Sequence, residues 1–393
     1  MTRGVDRWLP RLLTEGGRPS HRHAGIRGVA ESGSADGGLQ ARPTAVVCEP
    51  SPRPGQWRFA TAILLNMTRH RISTISFAAL ALLTGLSSTA VASPRAWLPV
   101  KAPIPEGSAT VVSAPLVAMT TLGLIAAARH SVDLEMYELG NPAIVSALES
   151  ATRRGVTVQV ISDPTEYQSR TSDAALTRAG VAVRKLAVRG GIDHVKLLVV
   201  DDDRVLVGGV NLGASSSYTT DADVELSGTS AGYATSVFNQ DWTAAGGAGA
   251  PASGAFGPFV TGAAIQSAML AVIDHATTSC TVIANYLSDY TIQDALVAAE
   301  RRGVAVTAVL NPTGYGEASA AAWLRNGGVR VEVAPTEPYL HAKVLACGAE
   351  AMIGSANFSY DGMTVNHELD VVLDGRAAAG VGAFAAGIAR VDG

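Results

Sequence analysis

Along the chain, apolar residues fall into short blocks separated by Gly, Pro and charged clusters, and the order of these blocks repeats. ALESATRRGVTVQVISDP (147–164) and ALVAAERRGVAVTAVLNP (295–312) are identical at nine of eighteen positions at a constant offset of 148. Each reads as a helix closed by a glycine cap, with arginines in its last turn. A β-branched run follows and ends at Pro, which predicts a strand. Another strand precedes each copy, SVDLEMYEL (131–139) and CTVIANYL (280–287). A second helical stretch and a short strand come after it, VAVRKL (181–186) and VRVEV (329–333). The repeat is too long for a solenoid unit. It predicts two α/β half-domains that share one interface.

The pattern then repeats its most unusual block. HVKLLVVDDDRVLVGGVN (194–211) and HAKVLACGAEAMIGSAN (341–357) each place His and Lys at the head of an apolar strand, at offsets of 147 for the histidines and 146 for the asparagines. Alternate residues of a strand share a face, so His194 projects with Lys196 and His341 with Lys343. Each strand turns at DDDR or CGAE and returns, a hairpin that would bring Asn211 or Asn357 back to that face. The glycines before each asparagine allow close backbone approach and offer N–H donors. A lysine at the end of a buried strand is costly without a negative partner, and two facing copies concentrate two lysines and two histidines. A phosphate diester between the copies resolves this. Lysines and asparagines would hold its non-bridging oxygens, one imidazole would attack phosphorus, and the other would protonate the leaving oxygen. This chemistry needs no metal, and the dispersed histidines show no metal-ligand spacing. A single HxK means only a surface strand; its recurrence at matched places in a duplication excludes that reading.

These paired blocks resemble the HxKxxxxD…GSxN motifs of the phospholipase D superfamily, and the resemblance runs from about Val111 to Gly375. It implies an α/β fold, a duplicated α-β-α sandwich of two pseudo-twofold halves with one active site at their interface. It also implies a two-step, cofactor-free reaction through a phosphohistidine. The first copy matches at His194, Lys196, Asp201 and Asn211, with Gly209 where Ser is usual. The second matches at His341, Lys343, Ser355 and Asn357, but Gly348 replaces the aspartate and the turn is one residue shorter. By resemblance the aspartate supports the motif from outside the reacting groups, and the N-terminal histidine, His194, is the nucleophile. His341 is then the general acid, and afterwards the base that activates water. A carboxylate that orients each imidazole is expected after each motif: aligning DADVELSG (221–228) with NHELDVVL (366–373) assigns Asp223 and Glu368, with Glu225 and Asp370 as second choices. His367 should face the opposite way, and His130 and His275 read as helix-end residues.

Composition and charge refine the picture. The 393 residues are 47% apolar and 16% charged, enough for a sizeable core. Residues 67–92 have a basic start, an apolar stretch and a small-residue end, the layout of a secretory signal peptide. Residues 1–66 show no periodicity and read as a disordered leader or a mis-assigned start. Removing 1–92 leaves 19 basic and 29 acidic residues, a net charge of −10 against −4 for the whole chain. Such a surface repels polyanions at long range. The expected organisation is a first half over 93–242, a Gly/Ala/Pro/Ser-rich linker over 243–257 and a second half over 258–393, with a short helix around Phe238 and Trp242 closing the first. Cys280 and Cys347 read equally as a disulfide or as two buried thiols. The expectation is a secreted or periplasmic monomer that contacts membrane surfaces transiently and hydrolyses a phospholipid to phosphatidate and its head-group alcohol. The alternatives are a metal-independent endonuclease with nucleic acid as substrate, a phosphatidyltransferase, and an inactive phosphate-binding module.

Overall fold

The duplicated blocks fold as two seven-stranded mixed sheets that follow the same path. The computed structural model describes residues 109–249, 256–314 and 316–391, all within the compact unit Ser88–Gly393. The expected leader (1–66) and signal peptide (67–92) lie outside the described residues. The first half runs β1 (Ala109–Ser113), α1 (Ala114–Ala127), β2 (Ser131–Met136), α2 (Pro142–Arg153), β3 (Thr157–Ser162), α3 (Ser169–Arg178) and β4 (Ala182–Lys185). It continues through β5 (Lys196–Val200), β6 (Arg204–Gly208), β7 (Ala222–Ser227) and α4 (Thr229–Ala244). The second half runs β8 (Phe259–Thr261), α5 (Ala263–His275), β9 (Ser279–Ala284), α6 (Tyr290–Arg301), β10 (Ala305–Leu310), α7 (Glu317–Asn326) and β11 (Arg330–Val333). It closes with β12 (Lys343–Cys347), β13 (Glu350–Gly354), α8 (Tyr360–Thr364), β14 (Leu369–Asp374) and α9 (Gly375–Val391). The sheet orders β1-β7-β6-β5-β2-β3-β4 and β8-β14-β13-β12-β9-β10-β11 match strand for strand. The βαβ crossovers give the parallel pairs β2–β3–β4 and β9–β10–β11, and the HxK hairpins give the antiparallel ones.

Both faces of each sheet are apolar, so both are covered. Leu198 and Val200 of β5 meet Val117, Ile144 and Leu148 of α1 and α2 on the outer face. Leu197 and Val199 point the other way and join Phe238 and Trp242 of α4 and, from the second half, Val344, Ile353 and Val371. Val282 and Leu345 pack under α5 and α6 on the far side. The result is the expected α-β-α sandwich, with the sheets meeting where β6 and β7 approach β13 and β14. Helix α4 is longer than the short helix expected and reaches two residues into the predicted linker. Its Phe238 is fully buried and stacks on Trp242 at 6.0 Å, a position where truncation to Ala costs about 3–5 kcal/mol.

The repeated Arg-Arg-Gly-Val has a local cause. Gly155 and Gly303 take left-handed φ values of 90° and 91° just past α2 and α6, the conformation that closes a helix. The second arginine of each copy crosses to the preceding helix: Arg154 Nη2 donates to Ile125 O at 2.8 Å and Arg302 Nη2 to Ile273 O at 3.0 Å. Cys280 of β9 and Cys347 of β12 face each other across the sheet and form a disulfide.

Candidate active site

The histidines are held by the seam between the halves. His194 N–H donates to His367 O at 2.8 Å, and His367 N–H donates to Ile192 O at 2.9 Å. Pseudosymmetry repeats this: His341 N–H donates to Thr220 O at 3.0 Å, and Thr220 N–H to Tyr339 O at 2.8 Å. The sequence put each histidine on its hairpin strand. Instead β5 and β12 begin at Lys196 and Lys343, because the histidine N–H groups pair with the opposite half before the hairpin ladder begins.

Each imidazole receives a carboxylate across that seam. His194 Nδ1 lies 2.9 and 3.0 Å from the Glu368 oxygens, and Ser355 Oγ donates to Glu368 at 2.6 Å. Asn366 Nδ2 donates to the same carboxylate at 3.1 Å. His341 Nδ1 lies 2.7 Å from Asp221 Oδ2. With Nδ1–H donating to a carboxylate, the lone pair of a neutral imidazole sits on Nε2, the nitrogen left to react. Both imidazoles retain some exposure, 8% for the His194 side chain and 18% for that of His341.

The lysines are nearly inaccessible, each 1% exposed. Lys196 Nζ donates to His194 O at 2.5 Å and lies 5.3 Å from the centre of the Tyr137 ring, which also meets the His194 ring edge-on at 5.0 Å. Lys343 Nζ donates to His341 O and lies 3.0 and 3.1 Å from the two ring nitrogens of His341. Burial lowers Lys196 to about 7 and Lys343 to about 8. Burial, then Lys196 and Lys343, hold His194 well below the usual imidazole range, so ammonium groups of both halves act on one imidazole. Burial and Lys343 lower His341 to about 4. Burial pushes Glu368 and Asp370 up to about 7 and Asp223 well above its ordinary value. At Asp221 burial acts in the same direction, but the His341 hydrogen bond and the Lys343 ammonium outweigh it and hold the group below its ordinary value. Of these four acids only Asp221 is held below its ordinary value.

A family model described as "Cardiolipin synthase, PLD-like domain" matches residues 122–242 and 269–382, together more than half of the chain. The chain belongs to the phospholipase D superfamily. No curated protein matches it. Among solved structures, phosphatidylserine synthase from Haemophilus influenzae is similar in fold (TM-score 0.56) at 12% identity, over 72% of this chain and 86% of that one. Polyphosphate kinase from Porphyromonas gingivalis matches 68% of this chain at 15% identity and a TM-score of 0.53; the chain spans 44% of that protein's length. A phospholipase D family member, Nuc from Salmonella typhimurium, matches at 25% identity and a TM-score of 0.33, over 35% of this chain and 95% of that one.

Within this phospholipase D fold the expected residues divide. His194, Lys196, His341, Lys343, Ser355 and Glu368 come together at the seam. Asn357 Oδ1 accepts from Asn285 Nδ2 at 3.2 Å, whereas Asn211 Oδ1 is buried without a hydrogen-bond partner. Asp201 stands away from the reacting groups and accepts from the N–H groups of Arg129, His130 and Ser131. Asp223 is a correction. It accepts from Val210 N–H at 3.0 Å, as Asp370 does from Ala356 N–H at 3.0 Å. Asp221, two residues earlier, is the true counterpart of Glu368. The signal was present: the offset of 147 between the histidines also pairs Asp221 with Glu368 and Gly228 with Gly375. A second correction concerns the glycines. The N–H groups of Gly209 and Ser355 bond to Ala222 O and Leu369 O, so they are not substrate donors. Gly208 and Gly354 instead make room for acids, since a Cβ on either would lie within 2.3 Å of the Asp223 or Asp370 carboxylate. Gly209 in place of Ser is likewise paired with the shorter acid, because a Cβ there would meet the Asp221 oxygens at 2.5 and 2.8 Å.

The chemistry this geometry permits is nucleophilic and acid–base. A bare Nε2 on His194 can attack phosphorus, and two ammonium groups can hold the non-bridging oxygens where charge grows. Asp221, held below its ordinary value, can support an imidazolium on His341 where a phosphate anion raises that group's proton affinity, the property a general acid needs.

Proposed function

We propose that the protein is an exported phospholipase D-type phosphodiesterase that hydrolyses a phospholipid to phosphatidate and its head-group alcohol through a phosphohistidine on His194. The observation that carries this is the reciprocal pairing of His194 with Glu368 and of His341 with Asp221, each carboxylate supplied by the opposite half. The pairing fixes both tautomers, and Lys343 and Asp221 of the other imidazole's surroundings act on His194, which supports one shared site at which the two Nε2 atoms would work on opposite sides of a phosphorus. The signal-peptide pattern at 67–92, the disulfide and the net −10 charge of residues 93–393 support export and a neutral-lipid surface as workplace. Among the described residues no helix is long and apolar enough to cross a membrane. The two copies complete a site within one chain, which supports a monomer.

The family description, that of a synthase, favours a second reading in which an alcohol takes the phosphatidyl group in place of water. One assay addresses both. Incubation with phosphatidylcholine and ethanol should give phosphatidate and phosphatidylethanol, and His194→Ala should abolish both. Plasmid nicking in EDTA without lipid turnover would replace the lipid reading with the endonuclease. No reaction on either substrate would leave the phosphate-binding module.

A further inference from the structure

One residue from Glu368, on the other side of the chain, His367 enters a buried group of acids that the phosphodiester chemistry does not use. Its partners come from the first half: Glu135 on β2, Asp241 on α4, and Asp193, which precedes His194. We propose that Glu135, Asp241 and His367, backed by Asp193, bind one divalent first-row metal ion, zinc by the chemistry of the ligands, which ties the two halves together beneath the nucleophile.

The ligand atoms converge. His367 Nε2 lies 3.1 Å from Asp241 Oδ2 and 3.8 Å from Glu135 Oε1, and one ligand atom from each of the three residues lies within 4.8 Å of the others. Imidazole and carboxylate ligands sit about 2.0–2.2 Å from zinc, which places tetrahedral neighbours roughly 3.3–3.6 Å apart. The observed set therefore needs only side-chain adjustment to close on an ion. No sequence pattern points to this set, because the three residues lie far apart along the chain and the seam brings His367 to the acids.

Burial supplies an independent argument. Both carboxylate oxygens of Glu135 and Oδ2 of Asp193 are buried without a hydrogen-bond partner, and Asp241 Oδ2 pairs with His367 Nε2. Glu135 and Asp193 are wholly inaccessible. Around Glu135 the polar neighbours are mainly the other acids, Asp193 and Asp241. Buried acids left facing one another are costly. A dication would reverse the sign of every one of these contacts, and its effect would reach the reaction centre, since His367 O accepts the N–H of His194 at 2.8 Å.

The test uses the full chain without a polyhistidine tag, purified in the absence of chelators. Elemental analysis should find about one zinc per chain, removable with EDTA, and zinc added back should raise Tm by about 5 °C. The isosteric variants Glu135→Gln and Asp241→Asn, checked for native circular dichroism, should lose the ion and the thermal response. A wild type that carries no metal and whose Tm is unmoved by zinc or manganese would overturn the proposal and leave shared protons to hold the cluster. Undiminished zinc in both variants would overturn it as well, by placing the ion elsewhere. The wild-type titration decides the matter even where a variant does not fold.

Discussion

Asp221 and Asp223 stand two residues apart at the head of one strand, yet one orients an imidazole of the opposite half and the other satisfies a backbone N–H of its own. Substitution should separate these tasks. Asp221→Asn removes the charge that supports an imidazolium on His341 and should lower kcat by about 10²–10⁴-fold with little change in Tm. Asp223→Ala leaves the Val210 N–H unpaired; it should cost about 1–3 kcal/mol in denaturant unfolding while retaining the His341 pairing and most of kcat. The opposite pattern would reverse the assignment. The lysines make a pH prediction. An amine whose pKa is lowered keeps its charge only below that value, and Lys196 and Lys343 are lowered to about 7 and about 8. The kcat/KM of the free enzyme should therefore fall as pH rises through 7 to 8. A bound phosphate raises both groups, so the alkaline limb of kcat should lie higher. Coincident limbs in the two profiles would contradict this. Glu368, His194 and both lysines could be identified from residue spacing alone. Asp221 is missed when acids are matched by type alone, because two acids at alternate positions offer two registers; the 147-residue offset of the histidines selects Asp221, and the backbone brings it to the seam.

At the scale of elements, the HxK hairpins show how one turn is built in two ways. Asp201 adopts a left-handed φ of 54° and accepts three backbone N–H groups between α1 and β2. Gly348 takes the same place at φ 62° without a side chain. For Asp201, burial pulls the carboxyl upward, but the N–H groups of Ser131, Arg129 and His130 outweigh it and hold the group below its ordinary value. Its stabilising contribution is thus present above the unfolded pKa and lost as pH falls through the lower folded one. Asp201→Gly copies the second turn without backbone strain. It should lower Tm at neutral pH by the equivalent of about 1–3 kcal/mol, leave kcat unchanged, and show no Tm difference from wild type in strongly acidic buffer. A large loss of kcat would instead bring Asp201 into the reacting shell. The strands, helices and caps of both halves could be read from the repeated blocks because propensity, glycine caps and apolar alternation all agree there.

At the scale of the whole molecule, two halves make one site, and each half is incomplete in its own carboxylate. Removing either histidine should then cost as much as removing both. His194→Ala, His341→Ala and the double variant should fall to the same residual rate in single-turnover assays. Two independent sites would instead leave each single variant with about half of the activity, an outcome incompatible with the seam described above.

The duplication, the two α/β halves and the chemical types at the site are written in the sequence, since these follow from local periodicity and from residues spaced along continuous strands; the sandwich came with the family resemblance. Only the tertiary structure decided which acid serves which histidine, that His194 and His341 belong to the seam rather than to their hairpins, and that Glu135, Asp241 and His367 meet. Each of those facts is a contact between segments distant in sequence, made where the two halves exchange backbone hydrogen bonds, and no pattern within either half encodes the partner it will meet across that interface.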